Sequence, residues 1–169
     1  MNVSNEIVVV EKQTGRIEGI PYVPFPIAFH TVDIIALSET IGGETQVLLG
    51  KKPNQTKWQF IGGFVEPTHT AEHTASKEFH EEAGLLIEDE DRFEYVGSAY
   101  IEDSRYKDSC HKITTSIFMV RLSENEEDKL VAGDDIEIIK WFSLKDAYAN
   151  IREQHKEIFV KALIKLLQS

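Results

Sequence analysis

The sequence predicts an α/β protein, on three observations. Runs rich in β-branched and aromatic residues recur between Ile27 and Phe142. Among them, Ala71, Ala75, Phe79 and Ala83 repeat at the four-residue interval of a helix face. Beyond Leu144, apolar residues return with helical spacing. A chain of 169 residues, 41% hydrophobic and 28% charged, is near the common size of one domain and too apolar for disorder. Residues 1–169 are therefore expected to form a single domain.

In chain order, Ile7 to Val10 reads as a short strand, followed by a turn around Thr14 to Gly19. Three prolines between Pro21 and Pro26 remove backbone donors and make that segment a rigid lead-in. Ile27 to Leu37 is a β-rich run, and a Gly-rich link at Ile41 to Glu44 joins it to a partner strand at Gln46 to Leu49. A polar loop from Lys52 to Lys57 precedes a short strand at Trp58 to Ile61, which ends at Gly62 and Gly63. Thr70 stands where a helix needs a side-chain cap, and Gly84 where a helix end favours a left-handed residue. Phe93 to Ile101 and Ile113 to Leu122 read as strands joined by a polar loop. A charged loop, Ser123 to Asp135, leads to a strand at Ile136 to Phe142. In the last stretch Ile151, Ile158, Phe159, Ala162, Leu163, Leu166 and Leu167 mark an amphipathic helix, free to dock on the sheet or on a second copy in a homodimer.

A net charge of −11 argues against a nucleic-acid partner, because binding a phosphate backbone needs clustered Lys and Arg. The single cysteine, Cys110, allows no intramolecular disulfide and points to a reducing, cytoplasmic setting. Its neighbours Ser109, His111 and Lys112 leave thiol chemistry open. No run approaches the roughly 20 apolar residues of a membrane span, and MNVSNEIVVVEK carries no basic leader.

Glu78, Glu81 and Glu82 concentrate the chemistry. At about 100° of rotation per residue, Glu82 lies about 40° to one side of Glu78 and Glu81 about 60° to the other, so all three can face one point. Carboxylates this close repel one another unless something compensates. A hard divalent cation such as Mg²⁺ is the natural counter-charge, and it would also screen a phosphate-bearing substrate from an acidic protein.

The segment GFVEPTHTAEHTASKEFHEEAGL, from Gly63 to Leu85, resembles the box of the Nudix hydrolases. That box is a glycine, a glutamate six positions on and, after seven more residues, Arg-Glu-U-x-Glu-Glu-x-Gly-U with U bulky and aliphatic; here Glu78, Phe79, Glu81, Glu82, Gly84 and Leu85 fall in matching places. His69 stands in place of the first glutamate and Lys77 in place of the arginine. Outside the box, VLLGKK, WQFIGGFVE and AGDDIEIIKWFSL look like the branch acting on ADP-ribose and related compounds. The resemblance implies an α/β/α sandwich with a mixed central sheet. It also implies Mg²⁺- or Mn²⁺-dependent hydrolysis of a nucleoside diphosphate linked to another group, ADP-ribose leading, to give AMP and ribose 5-phosphate. Carried over, Glu78 and Glu82 would bind metal, Glu81 would bind a second metal or orient water, and the Gly63 carbonyl would complete a coordination shell. Lys52 lies where this branch often carries a basic phosphate contact, and Arg105, Lys107, His111 and Lys112 border a loop that could reach substrate.

Several alternatives stay open. Trp58 or Tyr106 could stack on a base, and Glu81, Glu82, Glu102 and Glu137 all qualify by chemistry as general base. His69, Glu72 and His73 spell the HxxEH of inverzincin peptidases, but Pro67 and a cap at Thr70 would put His69 outside the helix. The departures at His69 and Lys77 favour a nucleotide-sensing domain of weak catalysis, while the intact Glu78, Glu81 and Glu82 oppose it. Ile101 occupies a place where some ADP-sugar hydrolases carry proline, and Tyr100 faintly resembles a feature of dinucleoside polyphosphate hydrolases.

Overall fold

A computed structural model describes residues 27–39, 43–106 and 111–168. The strand expected at Ile7 to Val10, the Pro21 to Pro26 lead-in, most of the Gly-rich link, Lys107, Cys110 and the side chain of Arg105 lie outside what is described. Five strands, β1 (Ala28–Glu39), β2 (Thr45–Lys51), β3 (Glu94–Ile101), β4 (Lys112–Arg121) and β5 (Ile138–Ser143), form one sheet in the order β3-β4-β1-β2-β5. β1 runs parallel to β4 and every other neighbour is antiparallel, so the sheet is mixed.

Helices cover both faces. α1 (Ala71–Ala83) lies on one; α3 (Leu144–Asn150) and α4 (Lys156–Leu166) lie on the other, while a single turn, α2 (Glu124–Glu127), sits in the charged loop. β1 is central, and its alternation explains the continuous apolar run read in the sequence. Val32, Ile34 and Ala36 pack in the layer under α1, whereas Ile35 and Leu37 pack in the layer under α4. Each layer is closed by aromatic rings, Phe79 and Phe118 in the first, Phe60 and Phe159 in the second. The result is the α/β/α sandwich.

α1 forms as its sequence requires. Thr70 Oγ1 accepts the His73 N–H at 3.1 Å, and Gly84, at φ 76°, takes the left-handed end. Ala75, Phe79 and Ala83 are fully buried, with Ala71 packed partly buried at the same layer.

Two elements differ from expectation. Trp58 to Ile61 makes isolated bridges rather than a strand, because its backbone bonds are divided among three partners. Ile34 on β1 donates to the Ile61 carbonyl, Gly50 on β2 exchanges two bonds with Gln59, and Trp58 pairs with the chain at Asn150 and Arg152. This segment wedges between β1 and β2, whose own ladder is confined to Leu37–Glu39 against Thr45–Val47. The final amphipathic stretch is also two helices, not one. The chain turns extended at Ile151 (φ −68°, ψ 151°), where that side chain is buried, and restarts at Lys156. α4 then docks on the sheet through Ile158, Phe159 and Ala162.

Candidate active site

The wedge carries Gly62 and Gly63 up to the flank of α1. Gly62 has φ 151°, and a Cβ there would sit 2.0 Å from the Val32 carbonyl oxygen, so only glycine fits. Its N–H donates to Glu82 Oε2 at 2.9 Å. At Gly63 a Cβ would lie 2.4 Å from Glu78 Cδ, so the missing side chain is what admits the Glu78 carboxyl. The Gly63 carbonyl accepts from the Val32 N–H at 2.9 Å and keeps a second lone pair.

The opposite wall comes from the loop before β5. Val131 and Gly133 donate to the carbonyls of Ala83 and Glu82, satisfying the last turn of α1 and fastening the loop to it. Ser123 and Glu126 form a capping box upstream, and Arg92 grips Glu126 with two nitrogens at 2.6 and 3.1 Å. The loop thereby sets Asp134 and Asp135 beside Glu82, and ligand atoms of these three carboxylates lie within 4.8 Å of one another. Lys52 pairs with Asp135. Glu78, Glu82, Asp134, Asp135, Lys52 and both glycines line one cleft of about 330 Å³.

Electrostatically the cleft disfavours the charged form of its carboxyls, chiefly by shielding them from water. Burial pushes the Glu82 carboxyl up to about 8, against the pull of the Gly62 N–H and Lys52 and with help from Asp135. Burial likewise raises Glu78, with Lys77 opposing and Glu81, Asp134 and Asp135 adding to the rise. A cavity whose carboxylates resist ionisation, and whose oxygens converge within bonding reach of one point, fits a hard divalent cation.

A NUDIX domain model matches residues 30–162, most of the chain. The chain belongs to the Nudix family. No curated protein sequence matches it. Among solved structures, a MutT/nudix family protein from Enterococcus faecalis is 22% identical, with 98% of this chain and 70% of that one covered and a TM-score of 0.67. The NUDIX domain of Shewanella oneidensis NrtR, complexed with ADP ribose, is 19% identical over 86% of this chain and 94% of that one, with a TM-score of 0.66. A C. elegans Ap4A hydrolase is 17% identical over 84% and 100%, with a TM-score of 0.63. At these identities the likeness is one of fold. Members of the Nudix family are pyrophosphohydrolases that generally use divalent metals.

Of the residues singled out in the sequence, Gly63, Glu78, Glu82 and Lys52 line the cleft. Glu81 does not; Lys77 holds its carboxylate at 3.1 Å while also reaching Glu66 at 3.3 Å. His69 lies just outside α1, its Nδ1 3.9 Å from Glu66 and its ring edge-on to His73 at 4.6 Å. His73 turns its own Nδ1 to Glu90 at 2.8 Å, and among the described residues His69, Glu72 and His73 form no three-ligand group. Trp58 packs edge-on against Phe142 and Tyr106 against Phe29, neither lining the cleft, while Glu102 and Glu137 are exposed outside it.

The cleft also contains residues that sequence reasoning passed over: Asp33, Gln59, Asp134, Asp135, Arg152 and His155. Two signals were present. Asp33 interrupts an apolar run that needs both faces buried, and the Asp134–Asp135 pair follows a glycine directly ahead of a strand.

Proposed function

We propose that this Nudix protein is a divalent-metal-dependent hydrolase of nucleoside diphosphates linked to a second group, with ADP-ribose as the leading substrate, giving AMP and ribose 5-phosphate. The observation that carries this reading is the convergence of Glu78, Glu82, Asp134 and Asp135 on a cleft whose glycine wall leaves room for them. Glu78, Glu82, the aspartate pair and the Gly63 carbonyl would hold Mg²⁺ or Mn²⁺. Bound there, the cation supplies charge for the phosphate oxygens and acidifies a water.

The chain's own groups divide the remaining work. Lys52 offers a positive charge at the cleft wall, suited to a phosphate oxygen once Asp135 is engaged elsewhere. Glu81, paired with Lys77, stands one helical turn from Glu78 and is suited to orient water or hold a second cation. Arg105 is the remaining candidate contact to substrate. The ADP-ribose choice draws support from the neighbour solved with that molecule, and dinucleoside polyphosphates are the next candidates, given the Ap4A hydrolase neighbours. A cytoplasmic setting follows from the single cysteine.

A second reading is favoured by one observation: Lys77 is shared between Glu66 and Glu81, where an arginine could grip one carboxylate with two prongs. A catalytically weak nucleotide sensor would bind ADP-ribose with Mg²⁺ and release no AMP. Incubation of ADP-ribose, dinucleoside polyphosphates, NADH, nucleotide sugars and nucleoside triphosphates with Mg²⁺ or Mn²⁺, followed by product analysis, separates the two. Glu82→Gln should reduce turnover of the best substrate at least about a hundredfold; unchanged turnover would refute the metal assignment.

A further inference from the structure

The cleft contains a second polar group that the box does not supply. Asp33, Gln59 and His155 line it, yet their residues are only 6%, 4% and 6% exposed. Buried polar side chains carry a desolvation cost unless each is partnered, so their placement against a cavity calls for a reason. Thr115 donates to Asp33 Oδ2 at 2.7 Å. The other oxygen, Oδ1, lies 3.4 Å from His155 Nδ1, a nitrogen that already accepts the Phe60 N–H at 3.2 Å. Burial and nearby Arg152 push the His155 ring down to about 3, so it stays neutral and gives Asp33 no counter-charge. Arg152 donates from Nη1 to Gln59 Oε1 at 3.0 Å, which fixes the Gln59 amide with its NH₂ as the remaining polar end.

A carboxyl oxygen, an amide NH₂ and the rest of a guanidinium therefore border one cavity, an acceptor set among donors. Hydroxyl groups match such a set because each both donates and accepts. A planar base fits less well. The Phe60 ring is stacked on His155 at 5.6 Å and packed against Phe159 at 5.9 Å, whereas Phe64, 41% exposed, brings aromatic surface to the same cleft beside Gly63. A further phosphate would meet the Asp33 carboxyl.

We infer that Asp33, Gln59 and Arg152 form a subsite for the hydroxyls of the sugar joined to the diphosphate, with His155 and Thr115 positioning Asp33. The inference rests on the substrate class proposed above and adds which half of that substrate the buried group selects. Neither Asp33 nor Gln59 is needed for a ligand that stops at the diphosphate.

Calorimetric titration with ADP-ribose and with ADP at pH 8, where the Asp33 carboxyl is ionised and accepts only, in Ca²⁺ to suppress turnover, tests this directly. The wild type should bind ADP-ribose more tightly than ADP. Asp33→Asn, which turns an acceptor into a donor, and Gln59→Leu should each weaken ADP-ribose about tenfold and leave ADP within about twofold. Equal weakening of both ligands would reduce these residues to structural support and overturn the inference. So would unchanged ADP-ribose affinity in the folded variants. Should neither variant fold, the wild-type comparison still decides, since equal affinity for the two ligands overturns the subsite alone. A wild type that binds neither ligand overturns the substrate reading, and the subsite with it.

Discussion

At the scale of single residues, Lys77 and Glu82 govern the chemistry. Lys77 spends its one ammonium on Glu66 and Glu81, so Glu81 is held by a point charge rather than a planar fork. Lys77→Arg combined with His69→Glu, which rebuilds the family pattern, should raise turnover several-fold, and steady-state kinetics showing no gain would clear both residues of responsibility. Glu82 makes a different prediction. Its carboxyl titrates at about 8 in the folded protein against an ordinary 4.5, and Asp33 at about 7 against 3.8, so the metal-free folded state binds more protons than the unfolded chain as pH rises through this range. Stability contributed by these two protonated carboxyls is therefore lost as pH climbs toward 8. His155 works in the opposite sense, but its window lies between about 3 and 6.5. From pH 6.5 to 8 the carboxyls act alone among these three, and the metal-free protein should lose on the order of 2 kcal/mol, several degrees of melting temperature. Mg²⁺ should restore more stability at pH 8 than at pH 6.5, because it binds the ionised form; calorimetric melting at both pH values, with and without the ion, reads this out.

At the scale of elements, α1 and the wedge before it are the parts on which the site depends. Phe79 fills the layer under the helix with no exposure, and Phe79→Ala should cost about 3–5 kcal/mol in urea unfolding. Thr70→Ala, which removes the N-cap bond, should cost about 1 kcal/mol by the same measurement. Gly62→Ala meets both a left-handed φ and the Val32 carbonyl, and it should cost at least about 3 kcal/mol or prevent folding, whereas Gly43→Ala, with open space around it but also at positive φ, should cost about 1 kcal/mol. α1 was legible in the sequence from Thr70 to Gly84 because its cap, its apolar interval and its stop are all local. The wedge was not, since whether Trp58 to Ile61 forms a strand depends on how β1 and β2 separate. The break at Ile151 was hidden for a similar reason. Helical spacing of apolar residues continues across it, and what stops the helix is burial of Ile151 with Arg152 bonded to the Trp58 carbonyl.

At the scale of the whole molecule, the box half of the cleft could be read from one continuous segment, and the rest could not. Glu78, Glu82 and Gly63 share a motif, so their proximity follows from one helix and one turn. Asp33, Gln59, Asp134, Asp135, Arg152 and His155 meet through the pairing of β1 with β4, the bonds of Gln59 to Gly50 and of Arg152 to Trp58, and the fastening of the loop before β5 to the end of α1, contacts far apart in sequence that no local pattern encodes. The acidity of the molecule, −11 overall, did carry a usable expectation, because such a protein meets a polyanionic substrate only with a cation between them. Removal of divalent ions with a chelator should therefore abolish nucleotide binding as well as turnover, and titration calorimetry with and without chelator checks the first of these separately.

The turn between α3 and α4 has a consequence for synthesis. Arg152 and His155 sit in it, and they complete a cleft that begins at Thr31 on the first strand described. During translation the glutamates of α1 emerge long before these partners, at about 5–20 residues per second. The nascent chain thus passes through a period with its acidic segment exposed and its cleft unfinished. Nucleotide can be held only after Arg152 and His155 have left the ribosome, which makes ligand binding itself a report that the cleft is complete.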